Sequence, residues 1–415
     1  MRSVLLLLLF VPLLGQAQDA STFDAVAATE ALLAQVPAED IENTVGYVNS
    51  GYLAMVLQLA ATLLAAWLML DSGWSRRWRE LAERKLKSRF AQAFIYLPIY
   101  ALVTTVLLFP VDWFSGHYIE QAYGLGNLSF LGWVSEHLLE TAVFALFGSL
   151  FVALLYMLLH RSPDNWWIWG TGLTATFLAL VMFLAPLFIL PLFNEYKPME
   201  EGPLKERILS IARANGVPAD DVKQVDQSKQ TKRVSANVAG MFGTARIALN
   251  DNLLARADAD AVEAVMAHEI GHYVLNHAGK GIIFMSLVIG LCFAGSSWLF
   301  KWMVARRGEQ WGIRGIEDYA GFPLLFASLS LFLFLATPAF YKLTYIQEYE
   351  ADLFAINATR NPGAWAEVAL LTAEYRKLHP ADWEERWLNH HPSPYARIYM
   401  AMRWKAENLA GEAKP

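Results

Sequence analysis

The sequence holds a single cysteine, Cys292, and charged side chains make up only 17% of its 415 residues. One cysteine excludes an intrachain disulfide and any thiolate metal cluster, and its apolar neighbours mark it as a small buried hydrophobe. The scarcity of charge comes with 55% hydrophobic residues and 15 tryptophans, more apolar surface than a soluble core can hide. A net charge of −6 gives no sign of a nucleic-acid partner. Asp, Glu, Lys and Arg are absent from six runs: Tyr52–Leu70, Ala91–Pro110, Thr141–Leu159, Trp166–Phe193, Gly281–Phe300 and Tyr319–Phe340. At 1.5 Å per residue each run can cross about 30 Å of hydrocarbon. Buried helices of a large soluble protein are excluded, because six uncharged runs would have nowhere to pack. The chain therefore reads as a mainly α, polytopic membrane protein whose other partners include membrane lipid.

Lys and Arg are missing from Gln18–Gly51 and from Val111–Glu140, yet seven lie between Arg76 and Arg89. Arg161 follows the third run, and Lys301, Arg306, Arg307 and Arg314 follow the fifth. The positive-inside rule puts these basic loops in the cytoplasm and the segment Asn194–Lys280, with the C-terminal tail, on the other face. Met1-Arg2, the apolar stretch Val4–Leu14 and Gly15-Gln16-Ala17 read as a secretory signal or signal anchor over residues 1–17. An N-terminal transmembrane bundle then covers 18–192, a polar core segment 193–280, two further transmembrane helices 281–341, and a C-terminal helical part 342–415. Pro186 and Pro191 predict a bend at the end of the fourth run.

In the first large polar stretch, Leu204, Ile208 and Ile211 share one helical face that ends at Asn215-Gly216. Short β-like runs follow at Val222–Val225, Arg233–Ala239 and Ala245–Leu249, the last two joined by Gly240-Met241-Phe242-Gly243, a hairpin signal. A helix is expected from about Asp260, with Asp260 and Glu263 as a capping box, to about Gly279. Beyond the sixth run, helical patterns fill Ile346–Ala358, Ala364–Leu378 and Tyr395–Leu409.

Within the expected helix stands His268-Glu269-Ile270-Gly271-His272. Residues four apart on a helix share a face, so two neutral imidazoles can converge on one Zn2+ per chain. Glu269, one step round, reaches a water at the metal without ligating it. Chance placement of two histidines and a glutamate on a surface helix is the rival reading, improbable with nine histidines in the chain. Catalytic zinc takes a third protein ligand, and Glu348-Tyr349-Glu350-Ala351-Asp352 offers carboxylates four apart. One of them, Glu348 by preference, binds the metal while the other accepts the second N–H of a ligand histidine. A solvated acidic helix end is the alternative. His391, followed by Pro392, is a candidate donor to a developing oxyanion. His277, His379, His117, His137 and His160 have no identifiable partner and read as structural or surface residues.

These residues resemble the integral-membrane zinc proteases typified by the type I CAAX prenyl protease. Beyond His268–His272, the likeness rests on Pro191-Leu192-Phe193-Asn194, Ser228-Lys229, Ser235-Ala236 to Gly240, Arg246-Ile247 with Leu249, Glu348–Asp352 with Phe354-Ala355, and His391-Pro392 with Arg397. It covers the chain from about Gly51 onward. The resemblance implies a helical bundle enclosing a chamber, with a small α+β zinc-metalloprotease domain. It also implies Glu348 as third ligand, Asp352 as support for a ligand histidine, and His391 and Arg397 at the substrate. Ser235, Ala236 and Asn237 would lie on an edge strand that pairs with the peptide. The sequence departs from the family pattern at Ser235, where Asn is usual, and at Asn252, where Thr is usual.

The expected activity is hydrolysis of peptide bonds by a zinc-activated water, with Glu269 as the base. The resemblance implies CAAX prenyl protease-like cleavage of a peptide or protein substrate, lipidated or not, and a catalytic domain in the cytoplasm. The charge rule and the signal-like N-terminus favour instead broad quality-control cleavage of membrane or exported proteins. A non-catalytic multi-pass protein is the third reading; it predicts no bound zinc.

Overall fold

The computed structural model describes residues 23–240 and 245–409. The signal-like segment 1–17 and the centre of the hairpin signal lie outside the described residues. The chain runs through α1 (Ala25–Leu33), α2 (Ala38–Asp71), α3 (Trp74–Lys85), α4 (Arg89–Trp113), α5 (Ile119–Ala122), α6 (Phe130–Arg161) and α7 (Trp166–Leu184). Next come β1 (Tyr196–Pro198), α8 (Pro203–Ala214), β2 (Val222–Val225), β3 (Ala236–Ala239), β4 (Arg246–Asn250), α9 (Asp251–Arg256) and α10 (Ala259–Val274). The chain continues with α11 (His277–Trp311), α12 (Phe322–Thr359), α13 (Pro362–Leu371), α14 (Asp382–Trp387) and α15 (Pro394–Asn408).

Six helical stretches among the described residues are long and apolar enough to cross a membrane, and each coincides with one of the uncharged runs, the fourth ending one residue short of its run. Built on α2, α4, α6, α7, α11 and α12, they pack in that order into a closed ring, with α12 back against α2. Lipid offers no hydrophobic reward for helix association, so close approach through small residues does the holding. A side chain at Gly290 of α11 would collide with Thr171 of α7. The predicted bend is present: α7 passes into a π turn at Ala185–Ile189 and a 3₁₀ turn at Leu190–Leu192, because Pro186 and Pro191 cannot donate to an α ladder.

The two ends of the ring differ. At the basic end, Tyr96, Tyr100, Tyr156, Tyr319 and Phe322 form an aromatic cluster, with Tyr156 and Tyr319 stacked at 4.2 Å. The buried Arg79–Asp318 ion pair (2.6 Å) ties α3 to the α11–α12 loop there. At the opposite end lies a second core, in which α1, α8, β2, β4, α13 and α15 surround α10. Its sheet has the order β1-β2-β4-β3; β2 and β4 are parallel, the outer pairings antiparallel, and β3 is an edge. The three predicted strands are present, whereas β1 escaped notice because it is three residues long and ends in Pro198. The Lys232 N–H donates to the Leu125 carbonyl (2.9 Å), Arg233 pairs with Glu120 (2.7 Å) and Gln230 with Glu136 (2.8 Å), clasping this core to the ring.

Two boundaries differ from the sequence reading. The cap of α10 is Asp258, whose carboxylate accepts the Ala261 N–H at 2.8 Å. Asp260 and Glu263 instead hold Arg207 of α8. The helix also ends at Val274, and Asn276, at φ 53°, turns the chain and caps α11. Finally, the sixth run and the pattern Ile346–Ala358 form one continuous helix. At 38 residues α12 is about 57 Å long, so its C-terminal turns leave the hydrocarbon and enter the second core.

Candidate metal centre

The position of α10 follows from its sequence. Met266, Ala267 and Ile270 are buried on one face, which turns the opposite face, with His268, Glu269 and His272, toward α12 and the cleft. Helix α12 approaches closely because residue 271 is glycine: a Cβ there would meet the Phe354 ring at 3.0 Å.

Crossing at this point, the two helices gather the ligand atoms. His268 Nε2 lies 3.1 Å from His272 Nε2 and 3.2 Å from Glu348 Oε2, and His272 Nε2 lies 3.4 Å from Glu348 Oε1. A metal bound tetrahedrally at about 2.0–2.1 Å separates its ligands by about 3.3–3.4 Å. The His-His-Glu group thus fits one divalent ion, with a position left open. The other members of the predicted set surround it. Asp352, fully buried, lies 2.9 Å from His268 Nδ1. Arg397 donates to both Asp352 oxygens (2.8 and 2.5 Å), and its guanidinium covers the Trp365 ring at 4.7 Å. Trp365 in turn stacks on His268 at 5.2 Å. His391 Nε2 stands 3.3 Å from Glu348 Oε2.

Burial opposes the His268 cation, yet Asp352 and Glu348 outweigh it and raise the imidazole to about 9, so the centre favours positive charge. Burial raises the Glu269 carboxyl above its ordinary value, the direction a general base needs. Burial and the Arg376 charge keep His391 well below the usual histidine range, so it is neutral.

A cleft of about 240 Å³ opens beside these groups, lined by Ser235, Ala236, Glu269, Glu348, His391 and Arg397 among others. Ser235 and Ala236 line the cleft, while Asn237 is exposed outside its lining. Arg397 reaches the cleft, but its hydrogen bonds go to Asp352.

The sequence reading missed His277 and Glu350. His277, 3% exposed, brings its Nδ1 to 2.8 Å from His272 Nδ1, and its Nε2 to 3.0 Å from Glu350 Oε2. With His272 Nε2 turned to a metal, the Nδ1–H donates to His277, whose Nε2–H donates to Glu350. On an unbroken helix a residue five positions on would point about 140° away from His272. The turn at Asn276 brings it back, and no local signal announced that turn. Trp365, Thr372, Tyr375 and Arg376, which also line the cleft, carried no motif either.

Comparison with known proteins agrees with this geometry. Residues 198–405, half of the chain, match peptidase family M48, and residues 26–195 match the family described as CAAX prenyl protease N-terminal, five membrane helices. An uncharacterized metalloprotease of Bacillus subtilis is 29% identical over 71% of this chain and 69% of its own length. CAAX prenyl protease 1 of Saccharomyces cerevisiae is 30% identical over 50% of this chain and 46% of that protein. The crystal structure of S. mikatae Ste24p superposes with a TM-score of 0.74 at 20% identity, covering 91% of this chain and 94% of that one, and so shares the fold. The chain belongs to peptidase family M48 and is an integral-membrane metalloprotease of the CAAX prenyl protease type.

Proposed function

We propose that the chain is a zinc endopeptidase, with His268, His272 and Glu348 holding one Zn2+ and Glu269 acting as general base. The observation that carries this reading is the 3.1–3.4 Å spacing of the three donor atoms. Bound zinc would polarise the scissile carbonyl and acidify a water. Asp352 keeps the His268 Nδ1 proton in place, so that Nε2 faces the metal. The free edge of β3 pairs with the peptide backbone and presents the scissile bond. Glu269 takes the proton of the attacking water; as the new C–O bond forms and the C–N bond breaks, it hands that proton to the leaving amine. His391 donates a hydrogen bond to the carbonyl oxygen as charge develops there. In Glu269→Gln, zinc content should be retained while turnover falls by at least about 10²-fold; ordinary cleavage by that variant refutes the assignment.

The substrate that the family relationship supports is a C-terminal peptide carrying a prenyl group, cleaved at the membrane. Charge asymmetry supports a second reading. The basic loops lie together at the end of the ring away from the metal, which favours a catalytic domain outside the cytoplasm and cleavage of membrane or exported proteins. Farnesylated and unmodified forms of one peptide, offered to purified protein, separate the two. A strong preference for the lipid supports prenyl processing, and equal rates support the broader role. A reporter joined to the C-terminus reports the side directly.

A further inference from the structure

Three arginines stand near the metal cleft, and two are neutralised: Arg397 by Asp352 and Arg233 by Glu120. Arg376 is different. Its Nη1 donates to Thr372 Oγ1 (3.1 Å) and its guanidinium lies 5.4 Å from the Tyr375 ring centre. Among the described residues no carboxylate lies within ion-pair distance of it. It lines the metal cleft, and it also lines an adjoining cavity of about 400 Å³ that includes Glu120, Trp133, Gln230 and Arg233. Val234 and Ser235, which lead into β3, border both spaces.

A half-buried guanidinium that lines a cleft without a counter-charge is open to an anion, and its planar fork suits a carboxylate. Nearby, Arg397 and a bound divalent ion would balance Glu269, Glu348 and Asp352, which leaves Arg376 as the cation available to a ligand. A peptide added to the edge of β3 in the more stable antiparallel sense runs its C-terminal end toward Ser235. That is the end where Arg376 stands. The one anion that a peptide backbone itself carries is its C-terminus. We propose that Arg376 binds the free C-terminal carboxylate of the substrate, so that the scissile bond lies a few residues from a chain end. The proposal rests on the peptidase reading above and makes Arg376 the residue that positions the substrate's chain end.

The test uses full-length, zinc-loaded protein in detergent and a fluorophore-labelled farnesylated peptide ending Cys-Val-Ile-Ala, made as the free acid and as the carboxamide. Anisotropy with the Glu269→Gln protein reads binding apart from turnover. The acid should bind about 10- to 100-fold more tightly, the range of a charge-assisted hydrogen-bonded pair. Arg376→Gln should bring the acid-to-amide ratio near one, and Arg376→Lys should restore part of it. With Glu269 intact, the difference between acid and amide should sit in KM rather than kcat. Equal binding of acid and amide to protein with Arg376 intact overturns the anchor, as does a ratio that survives Arg376→Gln. If the acid binds better but neither peptide is cleaved, the peptidase reading of this substrate fails and the anchor stands.

Discussion

Replacing His277 by alanine should weaken zinc binding without touching a ligand. His277 is 3% exposed and sits between His272 Nδ1 (2.8 Å) and Glu350 Oε2 (3.0 Å). Its loss leaves the His272 N–H without its protein acceptor and frees the ring to rotate off the metal. Removing such an outer partner of a metal-ligating histidine costs about 10- to 100-fold in affinity, or about 1.4–2.7 kcal/mol. Glu350 is partly exposed, so water can replace it, and Glu350→Gln should cost only a few-fold. The assay is competition against a fluorescent zinc chelator with purified protein in detergent micelles, and the thermal transition of each metal-free protein controls for folding. If His277 were merely structural, the transition would fall while zinc affinity per folded molecule stayed constant; that outcome refutes the relay. An effect of Glu350→Gln as large as that of His277→Ala would also contradict the order of burial.

Further outcomes follow from the same contacts. Gly271→Ala places a methyl group 3.0 Å from the Phe354 ring; overpacking of this kind costs about 1–3 kcal/mol, read as a lower thermal midpoint and weaker zinc binding. Adding Phe354→Ala should recover part of both. Asp352→Asn leaves the buried Arg397 without its anionic partner, a loss of about 3–5 kcal/mol in chemical unfolding; Asp352→Asn with Arg397→Met should be less unstable than Asp352→Asn alone. Arg233→Gln removes an ion pair joining the second core to α5, and limited proteolysis should then cut the Gln227–Ser235 segment faster than in the parent.

The membrane spans, the zinc helix and the acidic pair were legible because each rests on local repetition. An uncharged run of about twenty residues has one comfortable solvent, and residues four apart on a helix share a face whatever lies around them. His268, Glu269, His272, Glu348 and Asp352 were therefore available before any contact was known. Less local matters were read wrongly or missed. Asp260 and Glu263 have capping-box spacing, yet Arg207 of another helix takes both, and Asp258 does the capping.

Sequence by itself determined that this chain lives in a membrane, that it carries a metal-binding pattern, and which residues could supply it. Tertiary structure decided which of those residues meet. It made the sixth span and the Glu348 helix one continuous α12, brought Glu348 within 3.2–3.4 Å of both histidines, and turned His277 back at Asn276 toward His272. Among the described residues it also left Arg376, in the cleft lining, without a carboxylate partner while giving one to Arg397 and to Arg233. The physical reason is range. Periodicity and hydropathy act over a few turns of one helix, whereas ligand convergence and charge compensation depend on side chains tens to hundreds of residues apart, which only the packing of helices against one another brings within bonding distance.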